Sequence, residues 1–169
     1  LSYTDLGLLN LLSISEENSK GYEIRNAITR MDLTVQEIPI IKGFDALEHL
    51  TISLINENEL KTKDLSRFGE FKNLKSLTIQ IDKSRIDDQR PSWSEKKVVI
   101  SSIYGLKAPK LENLTIMNLG ISDINSLNNC KELIELNLGH NEELIDINAL
   151  KNCSKLKFLI LNNTSICLL

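Results

Sequence analysis

The chain has 169 residues, a formal net charge of −3, and 25% charged residues. Its apolar inventory is skewed, with 29 Leu and 21 Ile against 8 aromatics, and Asn is abundant at 17. So much Leu and Ile excludes disorder; the longest apolar stretches, such as Val98-Val99-Ile100, fall far short of the roughly 20 residues of a membrane span; and the mild acidity argues against a nucleic-acid or anionic-membrane partner, which needs clustered Lys and Arg.

The chain opens on Leu1 with no positively charged region ahead of an apolar stretch. That reads as a processed or trimmed piece whose compartment is not written in its N-terminus. Residues 1–27 read as an irregular or helical N-terminal part. For residues 1–14 two readings stand side by side. One is a strand from Leu9-x-x-Leu12-x-Ile14; the other is a helical cap with Ser2 as N-cap and Leu6, Leu9 and Leu12 along one face. Ile28-x-x-Met31-x-Leu33 then predicts a strand over 31–33, opening a repeat region over 28–169.

Beyond residue 33 one pattern recurs. L-x-x-L-x-[LI] occurs as Leu47-Leu50-Ile52, Leu74-Leu77-Ile79, Leu111-Leu114-Ile116, Leu133-Leu136-Leu138 and Leu156-Leu159-Leu161. Successive starts are therefore spaced by 27, 37, 22 and 23. Ahead of each lies a second element: Glu37-Ile38-x-x-Ile41, Asp64-Leu65-x-x-Phe68, Ser102-Ile103-x-x-Leu106, Asp123-Ile124-x-x-Leu127 and Asp146-Ile147-x-x-Leu150. From its last apolar residue to the next repeat start the step is six in four units, as from Leu127 to Leu133, and five from Leu106 to Leu111. Two patterns locked at nearly one offset five times define a repeat. The last two Leu of each unit alternate, which predicts a short strand with those side chains on one face. The acidic residue or Ser before Ile-x-x-Leu suits the N-cap of a tight helical turn, where its side chain satisfies free backbone N–H groups. The short step that follows leaves room for a 3₁₀-like turn but not for an α-helix. Each coil buries its Leu and Ile by stacking on a neighbour about 4.8 Å away along a parallel sheet.

These motifs resemble the leucine-rich repeat family, in its 22-residue subclass found in bacterial internalins and in eukaryotic phosphatase-regulatory repeat proteins. The stretch Leu111-Glu-Asn-Leu-Thr-Ile-Met-Asn-Leu-Gly-Ile-Ser-Asp-Ile-Asn-Ser-Leu127 carries the resemblance best, with residues 133–150. It covers most of the chain, from about residue 38 to 169. The resemblance implies an α/β solenoid: a curved parallel β-sheet on the concave face, with 3₁₀ turns and loops on the convex face. It also implies a ladder of Asn side chains, eight residues after the first Leu of each unit, bonding backbone groups of the turn. Asn141 fits that position and Thr164 is a tolerated replacement, whereas Leu119 and Asp82 depart from it.

Two spacings exceed the 22–23 of the other units, so the surplus must loop out. The first surplus lies around 56–63; the second, larger one is an insertion loop over 82–97 that holds Pro91 and the only tryptophan, Trp93. An aromatic on a projecting loop is a candidate recognition element; the plain alternative is a tolerated insertion whose Trp packs back on the solenoid. Cys130 and Cys153 occupy the same place in adjacent units and read as buried free thiols acting as small hydrophobes. Cys167 is left over. His49 and His140 are isolated, and no motif of nucleophilic, phosphate-binding or zinc-dependent catalysis occurs. Sequons at Asn113, Asn152, Asn162 and Asn163 are what an Asn-rich chain produces by chance.

Register places the outward residues of the strands in columns. The first is His49, Ser76, Asn113, Glu135 and Phe158; the second is Thr51, Thr78, Thr115, Asn137 and Ile160; the third is Ser53, Gln80, Met117, Gly139 and Asn162. The middle of this face is polar and neutral, with β-branched Thr suited to an exposed sheet. Its C-terminal end turns apolar at Phe158 and Ile160, which suits a protein surface better than a polyanion; the plain alternative is that these residues only solvate the sheet. The chain ends within a further coil without a polar terminal element, so either residues beyond Leu169 are absent from it or the open edge pairs with another molecule, which makes self-association a second expectation.

The overall expectation is a single, non-enzymatic leucine-rich repeat domain without cofactor or metal, bacterial by resemblance. It binds a partner protein through the concave columns and the insertion loop. The candidate contact residues are His49, Thr51, Thr78, Gln80, Trp93, Asn113, Thr115, Met117, Glu135, Asn137, Phe158 and Ile160. Competing with that reading are a self-associating structural repeat and the targeting domain of a larger bacterial effector enzyme.

Overall fold

The computed structural model describes residues 2–3, 20–35, 39–54, 63–81 and 100–167. Among the described residues the strands are β1 (Ser2–Tyr3), β2 (Arg30–Val35), β3 (His49–Leu54), β4 (Ser76–Ile81), β5 (Asn113–Ile116), β6 (Glu135–Asn137) and β7 (Phe158–Ile160), and helix α1 (Lys20–Ala27) lies between β1 and β2. They form one sheet in chain order, and every neighbouring pair is parallel. A parallel sheet whose strands follow chain order requires the chain to return on its other side between strands, which is a coil per strand. This is a leucine-rich repeat solenoid.

Alternation explains the burial. In β2, β3 and β5 every second residue is buried and the residues between are half-buried or exposed, because successive side chains of a strand point to opposite faces. The core stacks in layers: Leu47, Leu74, Leu111 and Leu133 in one, Leu50, Leu77, Leu114 and Leu136 in the next, Ile52, Ile79, Ile116 and Leu138 in a third. Three residues ahead of the first Leu of each unit, the buried position holds Phe44, Phe71, Ala108, Cys130 and Cys153 in turn. Large rings therefore fill the N-terminal coils, where Phe68 meets Phe71 edge-on at 5.5 Å between centroids, and small groups fill the C-terminal ones.

Strand entry is fixed by a repeated backbone contact. The carbonyls of Thr29, Glu48, Lys75, Glu112 and Ile134 each accept two N–H groups from the following coil, at 2.7–3.1 Å. The same place in five successive coils thus pins the next strand. Strand exit turns through the left-handed region at Asn118, His140 and Asn163, with φ of 58°, 62° and 56°; all three stand seven residues after the first Leu of their unit. Asn141 then closes the ladder expected for it. Buried, its Nδ2 donates to the carbonyls of Ile116 (2.9 Å) and Leu138 (2.8 Å), while its Oδ1 accepts from the N–H groups of Leu119 (3.2 Å) and Ile121 (3.0 Å). Thr164 reproduces a single one of these bonds, donating to the carbonyl of Leu161 at 2.8 Å.

Two local expectations need correction. First, the acidic residue or Ser ahead of the described turns is not the N-cap itself; Glu37 and Ile38 lie outside the described residues. Asp64, Asp123 and Asp146 accept from the N–H two residues on, at 2.9, 2.9 and 2.7 Å, and Ser102 does the same for Tyr104 at 3.0 Å. A short side chain bonding its own backbone two residues ahead makes an Asx or Ser turn, which leads into the helical turn one residue early. The expected 3₁₀-like turns form: as 3₁₀ helix over Asn125–Asn129 and Asn148–Asn152, and as a turn closed by a single i→i+3 bond at 65–68 and 103–106. Second, Ser2, expected in one reading as a helix N-cap, pairs with Asp32 in the sheet. Tyr3 likewise pairs with Leu33, so β1 takes the free edge of β2. Leu6, Leu9, Leu12 and Ile14, on which a strand or a cap was expected, lie outside the described residues.

The helix α1 packs through Arg25, which is buried, with its Cζ 5.1 Å from the Tyr22 ring centroid. A Cβ on Gly43 would lie 3.2 Å from the same guanidinium carbon, and its φ of +72° favours glycine in any case.

Candidate functional site

The outward columns form as register predicts. His49, Ser76, Asn113, Glu135 and Phe158 are successive partners across β3 to β7, and so are Thr51, Thr78, Thr115, Asn137 and Ile160. The third column holds only where Ser53 pairs with Gln80, the Gln80 amide donating to the Ser53 hydroxyl at 3.4 Å. Met117, Gly139 and Asn162 lie past the ends of β5, β6 and β7, because the left-handed residues Asn118, His140 and Asn163 turn the chain away there. Trp93 and the 82–97 loop lie outside the described residues.

Both full columns extend beyond β3 into β2. Arg30 pairs with His49, Asp32 with Thr51, and Thr34 with Ser53. The signal was present in the sequence, since Ile28-x-x-Met31-x-Leu33 carries the offset that sets the other outward positions.

The resulting surface is graded along the solenoid. Arg30, Asp32 and His49 stand at the N-terminal end, hydroxyls and carboxamides in the middle, and Glu135, Phe158 and Ile160 at the C-terminal end. Phe158 and Ile160 are 60% and 47% exposed, next to the polar groups of Glu135 and Asn137. At the rim, Asn162 Nδ2 and Asn163 Nδ2 each lie 3.0 Å from a ring nitrogen of His140. Gly139 leaves the room for this: a Cβ there would come within 2.5 Å of Asn162 Oδ1.

The flank at strand entry is self-satisfied by contrast. Asp45 pairs with Lys72 (2.6 Å), Glu48 with Lys75 (3.2 Å) and Glu132 with Lys155, each one coil apart. The Asp45 carboxylate accepts from the Lys72 ammonium and raises that group above its ordinary value.

Cys130 and Cys153 are buried and free, their thiols donating to the carbonyls of Ala108 (3.9 Å) and Leu127 (3.6 Å). Burial pushes the Cys130 thiol up to about 11 and raises Cys153 as well, so neither is poised as a nucleophile at neutral pH. Among the described residues no group of three His, Cys, Asp or Glu is gathered to hold a metal ion, and no helix is long and apolar enough to cross a membrane. A hollow of about 320 Å³ opens beside α1, lined by Ile24, Ala27, Ile28, Thr29 and Arg30. The ordered, exposed array of the molecule is the sheet face.

The fold and this face define a leucine-rich repeat solenoid with a polar sheet surface. No model of a known protein family matches the chain, and no curated protein matches its sequence. Among solved structures it is similar to an internalin (inlF) from Listeria monocytogenes, with a TM-score of 0.50 and 20% sequence identity over 95% of this chain and 42% of that one. The chain thus spans less than half the length of that internalin, and the likeness is one of fold.

Proposed function

We propose that this chain is a non-enzymatic protein-binding repeat module whose partner lies along the outward face of the sheet. The observation that carries the reading is the unbroken register of two columns from β2 to β7, which aligns side chains of graded polarity on a rigid surface. Rigid presentation suits binding because little conformational freedom is lost on association. Phe158 and Ile160 are its apolar anchors, and Thr51, Thr78, Gln80, Asn113, Thr115 and Asn137 supply neutral hydrogen-bonding groups around them. The likeness to an internalin solenoid supports an interaction module in general, and the identity of the partner is open to experiment. Replacing both Phe158 and Ile160 with Asp is expected to abolish capture of a partner from host lysate while leaving the circular dichroism of the folded chain unchanged. Undiminished capture by that double variant would overturn the assignment.

A second reading, self-association through the edge of β7, is favoured by one observation. Leu159 points to the core side yet is 42% exposed, whereas Leu136, its register partner, is 1% exposed.

A further inference from the structure

Among the described residues, Glu135 has no counterpart of the ion pairs that link the coils along the strand-entry flank. On the strand-entry flank, the carboxylates of Asp45, Glu48 and Glu132 each meet a lysine one coil on. Glu135 stands exposed on the sheet face between Asn113 and Phe158 in its column, and no ion pair joins it to any described residue. Lys157 sits one residue before Phe158 but belongs to the column of Ile134, and its N–H bonds that carbonyl. An unpaired carboxylate therefore borders two large apolar side chains that are 60% and 47% exposed.

Phe158 and Ile160 project from the outward face of β7 as Glu135 and Asn137 do from β6. With strands on both sides Glu135 is exposed and Asn137 half-buried, so a further strand beside β7 would cover Leu159 and narrow the exposure of the pair without removing it from the outward face. Any surface that covers Phe158 and Ile160 also desolvates Glu135, and a buried carboxylate without a cation is costly. An acidic partner adds like-charge repulsion to that cost, and a wholly apolar one leaves it uncompensated.

We infer that the partner bound at the β6–β7 end of the sheet face is a protein segment that places a Lys or Arg beside an aliphatic or aromatic side chain, the cation on Glu135 and the apolar group against Phe158 and Ile160. The inference rests on the sheet-face reading above and names the chemistry of the occupant.

The test is selection of a phage-displayed library of random short peptides on the immobilised full chain, followed by binding measurements with the best synthesised peptide. Enriched sequences are expected to join Lys or Arg to Leu, Ile, Phe or Trp. The Glu135→Lys variant is expected to weaken binding by about tenfold or more, as charge reversal at a desolvated pair requires, with Glu135→Gln intermediate. Circular dichroism checks that both variants fold. Enrichment of acidic or uncharged peptides, no enrichment at all, or equal binding to Glu135→Lys overturns the inference. If peptides bind but the double Asp variant of Phe158 and Ile160 binds them equally, the sheet-face reading itself fails; if only the Glu135 variants are without effect, the face stands and its charge chemistry fails.

Discussion

Asn141 joins two coils through one carboxamide. Its four short backbone bonds reach Ile116, Leu119 and Ile121 in the preceding coil and Leu138 in its own. A side chain of the same length with a donor and an acceptor at its tip is required, so Asn141→Ala strands four buried backbone groups at once. Each orphan costs about 1–3 kcal/mol, and the variant is expected to lose about 3 kcal/mol or more of stability in urea unfolding. Thr164 makes one bond of the same kind, and its short hydroxyl cannot span two coils. Thr164→Asn is expected to gain about 1 kcal/mol, and a loss of stability would show that the ladder does not continue past Asn141. The position was legible in the sequence because it lies at a fixed offset from the repeat. The Asx turns were less so: an Asp before a helical turn looks the same whether it bonds two or three residues ahead, and only the backbone path decides.

At the level of the element, identical motifs have unequal energetic weight. Leu136 and Leu159 hold the same place in consecutive strands, yet one is sealed between neighbouring coils and the other lies on the last strand. Leu136→Ala is expected to cost about 3 kcal/mol through lost burial and the cavity left behind. Leu159→Ala should cost less than about 1 kcal/mol, since much of its side chain never leaves water. Equal losses in thermal melts would mean that β7 is covered in solution. Strands β2 to β7 and their register were readable in advance, because period-two burial leaves its mark on every unit. The third column was not, since strand length depends on where the chain enters the left-handed region; the only signal of that point is the Asn or His at one offset, Asn118, His140 and Asn163, residue types that tolerate it. The sheet-face position of Arg30 and Asp32 was missed for a different reason: with Ile and Met standing for Leu, the first unit is the most degenerate.

For the whole molecule, each coil touches only its neighbours, so stability is a sum of coil and interface terms and is lowest where an interface is missing. That makes the oligomeric state a direct test of the β7 edge. Light scattering is expected to give the mass of one chain at all concentrations. A mass that doubles with concentration, and returns to that of one chain in Leu159→Glu, would favour self-association instead. The two sides of a coil also differ in what they allow. Entry to every strand from β3 to β7 is tied by a carbonyl that accepts two bonds. The stretch after the strand varies so freely in length that Leu47, Leu74, Leu111, Leu133 and Leu156 open their units at uneven intervals while the strands keep one register. A lineage carrying this architecture can lengthen or exchange the segment after a strand without moving the sheet, whereas the stretch ahead of the strand varies by a single residue, from Leu106 to Leu111, with the tie kept. Novelty in such a chain is therefore confined to one rim, and an engineer grafting a foreign loop would do best to place it there.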